Sequence, residues 1–507
     1  MLKKNNKEKT LKEFNDNKIE SIFNIIPNLS DKVLDFVEEN YNILGIIKNT
    51  FNSKRKYNTD ISDEVVILSG VQARMKQQLS ITELGLSLTS NKIIEKLGLN
   101  ISYLPKDSLL KEANIRSWLE KYEQEDIKKE KEIQRELGIK KKIKITSKVN
   151  FNNDFITFFN EFTKQFKEIT RTECNTHILD CSILDVNLNN ENYEGSTVTT
   201  KGNKELRGYK VSSLRGITKN GGMIEEICMN TAKIHDLEMS RDFVLNSETL
   251  KENDYLLMDR GFLDIDFFKE LNKKKIKVII PAKKNMEIYH EAIESAKNSN
   301  NWIKHPNKKR KGQSITLVKS LEMAWLSSQD KNKKPTNLEL DYKINCCVIR
   351  FEISKNKELL TDEEIINSDG SYAYACIITN DTSLDCSDII RMYEMRSEIE
   401  EDYRQLKDFW GLNTYKSTQY HIISFIILIS LLGYNFYQIY KESEEGKEYI
   451  GKSFITEGRK GLYIVKGVRT AIVTEHFFGI FELEELLDIY ANFSIEKRNI
   501  FKEYLAN

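Results

Sequence analysis

Between residues 176 and 282, short apolar runs alternate with one turn signal and two amphipathic stretches, and this order limits the folds open to the chain. The run Thr176–Leu184 has apolar residues on both faces of an extended chain, as in a central strand of a covered sheet. Lys219-Asn-Gly-Gly separates two strand-like runs and is typical of a hairpin. A helix near Asp236–Leu245, a strand ending at Asp259, a second helix and a last strand follow. The pattern predicts a mixed sheet flanked by helices.

Two of the predicted strands end in an aspartate. Asp180 closes the run His177-Ile-Leu-Asp, and Asp259 closes Leu256-Leu-Met-Asp before Arg-Gly-Phe. An acid at the end of an apolar strand is costly unless it is solvated, paired or bound to a metal. Either aspartate alone is explained equally well as the cap of a turn. Asp185 is a weaker candidate, because it stands five residues from Asp180 and would face the other side of the strand.

A third acid lies in the stretch Tyr393–Lys407, which lacks Gly and Pro and predicts one helix. Four preceding residues offer N-caps: Ser383, Asp385, Ser387 and Asp388. At helical spacing, five side chains form one stripe: Tyr393, Arg396, Glu400, Tyr403 and Lys407. Carboxylates bind hard cations, and Arg and Lys bind phosphate oxygens. The charges alone are also typical of an amphipathic surface helix with salt bridges.

The spacing Tyr, two residues, Arg, three residues, Glu, six residues, Lys resembles the YREK signature of a group of bacterial insertion-sequence transposases. The resemblance covers roughly residues 176–285 and 372–435 and implies an RNase H-like catalytic domain. It implies a DDE triad of Asp180, Asp259 and Glu400 that holds two Mg2+ or Mn2+ ions. It further implies that the signature residues Tyr393, Arg396 and Lys407 contact DNA. Arg260, which follows Asp259, is a further candidate for a DNA contact.

The resemblance implies cut-and-paste transposition through hairpin ends, with a flipped base stacked on an aromatic side chain. Trp302 and Trp325 are the candidates, and either is also explained as a core residue. The partners implied are the terminal inverted repeats, the target DNA and a second subunit in a homodimeric synaptic complex. Two alternatives stay open: an RNase H-like nuclease on other nucleic acids, and a catalytically silent DNA-binding protein. The complete triad argues against the silent protein.

The predicted fold class is α/β multidomain, with the catalytic domain interrupted by a β-rich insertion. We predict the following segments: an N-terminal arm (1–60), a helical DNA-binding domain (61–150), a first catalytic segment (151–285), the insertion (286–371), a second catalytic segment (372–440) and a helical C-terminal region (441–507). An ordinary helical bundle explains 61–150 equally well. The Lys-rich run Lys128–Lys144 is more typical of a solvated helix, and the insertion contains a basic tract at 304–312.

Composition restricts the partners and the compartment. Lys+Arg and Asp+Glu both number 77, so any basic DNA-binding surface must be local. The 7 cysteines include no CxxC pair and the N-terminus has no apolar run, which indicates a cytoplasmic protein without a zinc ribbon. The apolar run 422–433 is short for a membrane span and predicts a core helix. Gly446–Ser453 matches the P-loop pattern, but it follows a charged run, so we expect no nucleotide binding.

Overall fold

The computed structural model describes residues 3–4, 29–55, 61–77, 80–84, 87–88, 90–98, 111–137, 145–218, 221–321, 342–353, 368–452, 462–464, 469–473 and 477–482. The described strands are β1 (Lys3–Lys4), β2 (Thr176–Val186), β3 (Thr197–Lys201), β4 (Lys204–Thr218), β5 (Gly221–Thr231), β6 (Tyr255–Met258), β7 (Lys277–Pro281), β8 (Ile303–Lys304), β9 (Gln313–Leu321), β10 (Ile344–Glu352), β11 (Tyr372–Thr379), β12 (Leu462–Ile464), β13 (Arg469–Val473) and β14 (Phe477–Glu482). The described helices are α1 (Leu29–Tyr41), α2 (Ile43–Thr50), α3 (Asp63–Met75), α4 (Ile81–Leu84), α5 (Asn91–Lys96), α6 (Glu112–Glu120), α7 (Glu125–Glu136), α8 (Asp154–Thr170), α9 (Asp236–Leu245), α10 (Ile265–Lys273), α11 (Glu287–Lys297), α12 (Cys386–Met395), α13 (Ser397–Asp408) and α14 (Tyr420–Glu442).

One large mixed sheet organises the chain. Its strand order is β3-β4-β2-β6-β7-β11-β10-β9-β8, and β5 also pairs with β4. β2, β6 and β7 run parallel to one another, whereas β4 and β11 are antiparallel to their neighbours. Thr218 pairs with Gly221, so β4 and β5 are joined by two residues, as the Lys219-Asn-Gly-Gly signal predicts. The predicted mixed sheet flanked by helices is confirmed, and its order fits an RNase H-like domain.

The predicted insertion does not form a sheet of its own in the described residues. β9 and β10 pair with each other, and β10 pairs with β11, which in turn pairs with β7 of the central sheet. The apolar faces of these strands therefore continue the core of that sheet. The segment is β-rich as predicted, but it extends the central sheet, and the boundaries 286 and 371 stay a prediction.

Helix α14 is the centre of the helical layer. Every residue from Tyr420 to Tyr440 is buried, and the helix packs on α1, α3, α8 and β5. Of the described helices it alone is long and apolar enough to cross a membrane, and its most apolar window is wholly buried. A Cβ atom on Gly70 of α3 would lie 2.9 Å from Ile429 Cγ2, so the absence of a side chain lets α3 and α14 approach closely. The prediction of a core helix is confirmed.

The N-terminal helices pack on the same core as α14, and the predicted division into an arm and a DNA-binding domain stays a prediction. Residues 29–50, predicted as part of an arm, form α1 and α2, and Val33, Leu34 and Val37 of α1 are fully buried against neighbouring helices. In α3, all residues from Val65 to Met75 are buried, so this helix has no free face for DNA. Recognition of DNA ends by the remaining helices of 61–150 stays a prediction. Helix α7 has Ile127 as its buried residue and is the solvated helix expected there.

The C-terminal region differs from the predicted all-helical segment. β12, β13 and β14 form an antiparallel set, and β14 also pairs in parallel with β1 from the N-terminus. Phe481 and Glu482, assigned to a helix from the sequence, lie at the end of β14. The run Phe-Phe-Gly-Ile-Phe is rich in aromatic and branched residues, which favour strands when a neighbour is available. Residues 483–507 lie outside the described residues.

A buried charge network fastens α8 to the sheet. His177 Nδ1 lies 2.6 Å from Glu225 Oε2, and His177 Nε2 lies 3.2 Å from Asp254 Oδ2. Lys167 of α8 forms an ion pair with the same Glu225. Burial alone would lower the pKa of His177, but the two carboxylates outweigh burial and raise it to about 9. The imidazolium of β2 therefore joins Glu225 of β5 to Asp254 before β6 at neutral pH, and Glu225 in turn pairs with Lys167 of α8.

We expect this network to make stability fall in mildly alkaline solution. A histidine with a raised pKa contributes fully below its unfolded value, ~6.5, and the contribution is lost as the pH rises through the folded value. The free energy of unfolding should therefore decrease by on the order of 1–3 kcal/mol between pH 6.5 and 9. Urea unfolding at several pH values measures this decrease. In His177→Gln the decrease should be absent, and an equal slope in both proteins would contradict the assignment.

Candidate active site

The two candidate aspartates are neighbours in the sheet. β2 continues to Val186, so Asp180 lies within the strand and not at its end as predicted. In the parallel pair of β2 and β6, Leu179 is in register with Met258, so Asp180 and Asp259 follow at adjacent positions on strands ~4.8 Å apart. Asp259 is the first residue after β6, and its Oδ1 accepts a hydrogen bond of 2.7 Å from the Arg260 N–H. Asp180 therefore lies on β2 and Asp259 directly after β6, and the parallel pairing of these strands brings the two residues together.

The stretch predicted as one helix is two helices that meet at Arg396. The Arg396 N–H donates to the Tyr393 carbonyl at 3.0 Å, a three-residue step in place of the four-residue step of an α-helix. The reason lies in the packing: α12 contacts β7, β9, β10 and β11, whereas α13 contacts β2 and α14. Asp385 is the N-cap of α12 and accepts a hydrogen bond of 2.8 Å from the Asp388 N–H.

The break changes the predicted stripe. Tyr403 is buried, and its hydroxyl lies 2.8 Å from Ser213 Oγ on β4. It is therefore a packing residue and does not belong to an exposed DNA-facing row. Glu400, one turn earlier on α13, is exposed, with 58% of its side chain accessible. Lys407 is half-buried near β2, where burial lowers its pKa and the charges of Asp185 and Asp180 oppose that effect.

Arg396 connects the first and third acids. Its Nη1 lies 3.9 Å from Asp180 Oδ1, and its Nη2 forms an ion pair with Glu400 Oε1. The guanidinium is only 15% exposed, so the interaction is screened less than a surface pair. Arg396, expected to contact a DNA phosphate, contacts two of the candidate acids in this structure.

The three acids share one electrostatic environment. Burial raises the pKa of Asp180 to about 6 against the opposing effect of Arg396, and the charges of Glu400 and Asp259 add to the rise. Burial also raises the pKa of Tyr393 to about 12, with Asp259 and Glu400 again contributing. Arg396 contacts Asp180 and Glu400, and Asp259 follows β6 next to Asp180, so these charges act on one another beside β2 and the end of β6.

The remaining predicted DNA contacts lie in different surroundings. Arg260 is exposed beside Asp259, and its charge also acts on Tyr393. Trp302 is half-buried in the sheet extension, where the Arg350 guanidinium lies 4.1 Å from its ring centroid and 4.7 Å from that of Tyr372. One face of the Trp302 ring is therefore covered. Trp325 lies outside the described residues.

Two sets of residues near the site were not found from the sequence. Arg215 of β4 pairs with Asp402 and Glu398 and anchors α13 to the sheet. Glu394 of α12 accepts hydrogen bonds from Asn307, 87 residues away in the chain. No local sequence pattern predicts either pairing, because both depend on how strands and helices distant in the sequence pack together.

Two aspartates on neighbouring parallel strands, with a helix glutamate linked to one of them through an arginine, are the type of oxygen donor that metal-dependent phosphoryl-transfer enzymes use. The chain belongs to the DDE transposase family: the family model described as the transposase DDE domain matches residues 181–436, about half of its length. The match contains Asp259 and Glu400 and begins one residue after Asp180. A search of curated proteins finds no match. The predicted transposase class is confirmed, and with it a role in DNA transposition and recombination.

Members of this family generally use divalent metal ions. Three carboxylates supply the oxygen ligands that Mg2+ and Mn2+ prefer, so the donor set of Asp180, Asp259 and Glu400 fits such ions. Among the residues that the structure describes, no three His, Cys, Asp or Glu side chains converge closely enough to hold one ion. Arg396 lies between two of the acids and supplies positive charge there.

Proposed function

We propose that this chain is a transposase of the YREK group that cuts its element from flanking DNA through hairpin ends and joins it to a target. The observation that supports the proposal is the placement of the acids: Asp180 and Asp259 on neighbouring strands, and Glu400 linked to Asp180 through Arg396. The proposed setting is the cytoplasm, with a homodimer holding two element ends. Because the net charge is zero, we expect the DNA contacts to lie on local basic surfaces.

Asp180, Asp259 and Glu400 would hold two Mg2+ or Mn2+ ions, which when bound activate an attacking hydroxyl and stabilise a leaving oxygen at phosphorus. The protein's own contribution is to keep these acids together although their like charges repel. Arg396 offsets that repulsion in the free protein. A DNA phosphate competes for the same guanidinium, since Arg binds phosphate and carboxylate with the same bidentate geometry.

The other DNA contacts that we propose surround the acids. Tyr393, half-buried with its hydroxyl protonated at neutral pH, donates a hydrogen bond to the DNA backbone near the cut. Arg260 and Lys407 contribute phosphate contacts from the strand end and from α13. A flipped base would stack on Trp302, in place of the Arg350 guanidinium that lies over its ring, or on Trp325.

The test is a cleavage and joining assay on the full chain. The DNA substrate carries the inverted repeats that flank this reading frame, with a scrambled duplex and an RNA–DNA hybrid as matched competitors. We expect Mg2+- or Mn2+-dependent nicking, hairpin ends and joined products with the element ends alone. Equal cutting of the scrambled or hybrid substrate would identify a general nuclease. Binding of element ends without any cutting would identify a silent DNA-binding protein.

A further inference from the structure

A basic loop lies between β8 and β9. Ile303 pairs with Ile315 and Lys304 with Ser314, so residues 305–312 form the turn of a hairpin. Four consecutive exposed side chains in this turn are cationic: Lys308, Lys309, Arg310 and Lys311. In a chain whose acidic and basic residues are equal in number, four adjacent cations create a local positive surface.

The loop has a defined conformation. Asn307 Oδ1 accepts a hydrogen bond of 3.0 Å from the Lys309 N–H, and the Asn307 N–H donates to His305 Nδ1 at 3.1 Å. The Arg310 N–H donates to the Asn307 carbonyl at 2.9 Å. Asn307 is thus the centre of the turn, and a contact made by its side chain orients the whole loop.

Glu394 makes that contact. Asn307 Nδ2 lies 3.0 Å from both Glu394 carboxylate oxygens, and Arg310 Nε lies 3.5 Å from Glu394 Oε1. Glu394 directly follows Tyr393 and stands two residues before Arg396. The loop is therefore fastened to the helix turn that borders the candidate acids.

The pairing leaves the lysines available. Glu394 is engaged by Asn307 and Arg310, and within the described residues no carboxylate pairs with Lys308, Lys309 or Lys311. A lysine run on a free loop is usually only solvated. Here Glu394 holds the lysine run at the edge of the proposed site for DNA phosphates. A fixed row of cations at that position complements the negative charge of a nucleic-acid backbone.

We propose that Glu394 is a positioning residue that holds the loop 305–312 so that Lys308, Lys309 and Lys311 bind the phosphate backbone of the DNA end beside the scissile bond. The partner is duplex DNA, and the contacts are independent of base sequence. The inference deepens the proposed transposase function and rests on it. It assigns the loop as a second contact surface, separate from the signature residues on α12 and α13.

The first test removes the lysine charges. The triple variant Lys308→Gln, Lys309→Gln, Lys311→Gln is compared with wild type for binding to end DNA across a range of NaCl concentrations. Each lost phosphate contact reduces the slope of log affinity against log salt by ~0.9, so a reduction of about 2 to 3 is expected. The matched control, Lys273→Gln, Lys274→Gln, Lys275→Gln, removes equal charge where β7 begins, at the opposite end of the strands. An unchanged slope in the loop variant, or an equal change in the control, would overturn the proposal.

The second test separates positioning from simple electrostatics. If Glu394 acted only through its negative charge, Glu394→Ala would tighten DNA binding. Because the substitution also releases the loop, we expect the variant to bind DNA several-fold more weakly than wild type. Combined with the triple variant, Glu394→Ala should add little further loss, because both changes disable the same surface. Tighter binding by Glu394→Ala, or fully additive losses, would contradict the positioning role. If wild type cuts element ends while these variants behave like wild type, only the loop proposal fails; if wild type does not bind DNA, the proposed function fails too.

Discussion

Glu400→Gln should bind element-end DNA within about twofold of wild type and lose cleavage by about a thousandfold or more, since ~4 kcal/mol of transition-state stabilisation corresponds to that factor. The amide keeps the size of the side chain but loses the negative charge that a hard cation requires. Glu400 is 58% exposed, so the substitution removes no core contact. Arg396 keeps its neighbour Asp180, so its orientation is maintained.

Single-turnover cleavage and a gel-shift titration measure the two quantities separately. Glu401→Gln is the matched control, because it removes the same charge one residue away, from a carboxylate that pairs with Arg404 on the exposed side of α13. We expect the control to cut at a rate close to wild type. Normal cleavage by Glu400→Gln would remove Glu400 from the site, whatever the behaviour of the control.

Asp402→Ala should lower the free energy of unfolding by ~3 kcal/mol, the lower end of the usual cost of removing one member of a buried ion pair, because Arg215 keeps a second, more exposed partner. Its partner Arg215 is only 3% exposed and forms an ion pair through Nε with Asp402. After the substitution, the Arg215 guanidinium keeps Glu398, whose oxygen lies 3.1 Å from Nη1 and whose side chain is 44% exposed. Because Asp402 stands two residues from Glu400, loss of this anchor should also slow cleavage.

Urea denaturation of the purified chain gives the change in unfolding free energy. Asp408→Ala is the control: it removes an exposed pair with Arg404, which should change stability by no more than ~1 kcal/mol. Replacing both partners, as Arg215→Met with Asp402→Leu, should recover much of the loss, because no buried charge is then left unpaired. A change below ~1 kcal/mol in Asp402→Ala would show that Arg215 is solvated or paired elsewhere.

Much of the catalytic sheet follows from local sequence patterns. The apolar runs ending at Asp180 and Asp259, and the turn signal between β4 and β5, are each contained in a few consecutive residues. Such patterns report strands and turns directly, because side-chain alternation and turn chemistry are local properties. The helical prediction for 441–507 was wrong at β12 to β14, whose aromatic and branched residues favour strands once neighbouring strands are available to pair with them.

The candidate site, too, is partly visible in local sequence patterns and partly decided by tertiary packing. The spacing of Tyr393, Arg396, Glu400 and Lys407 is visible in the sequence, but it predicts one straight helix and one exposed stripe. The structure interrupts that helix by a tight turn at Arg396, and its two halves contact different elements. Burial against the sheet divides the stripe further, into an acid-contacting arginine, an exposed glutamate and a buried tyrosine.

The amino-acid order alone determined the identity of the strands, the order of the three acids and the resemblance to DDE transposases, since each is written within short stretches of chain. Only the tertiary structure decided that β9 and β10 extend the catalytic sheet, that Arg396 bridges Asp180 and Glu400, and that Glu394 holds the loop at 305–312. The physical reason is distance along the chain. Asp180 and Arg396 meet across more than 200 residues, and neither periodicity nor turn chemistry carries information over such a separation.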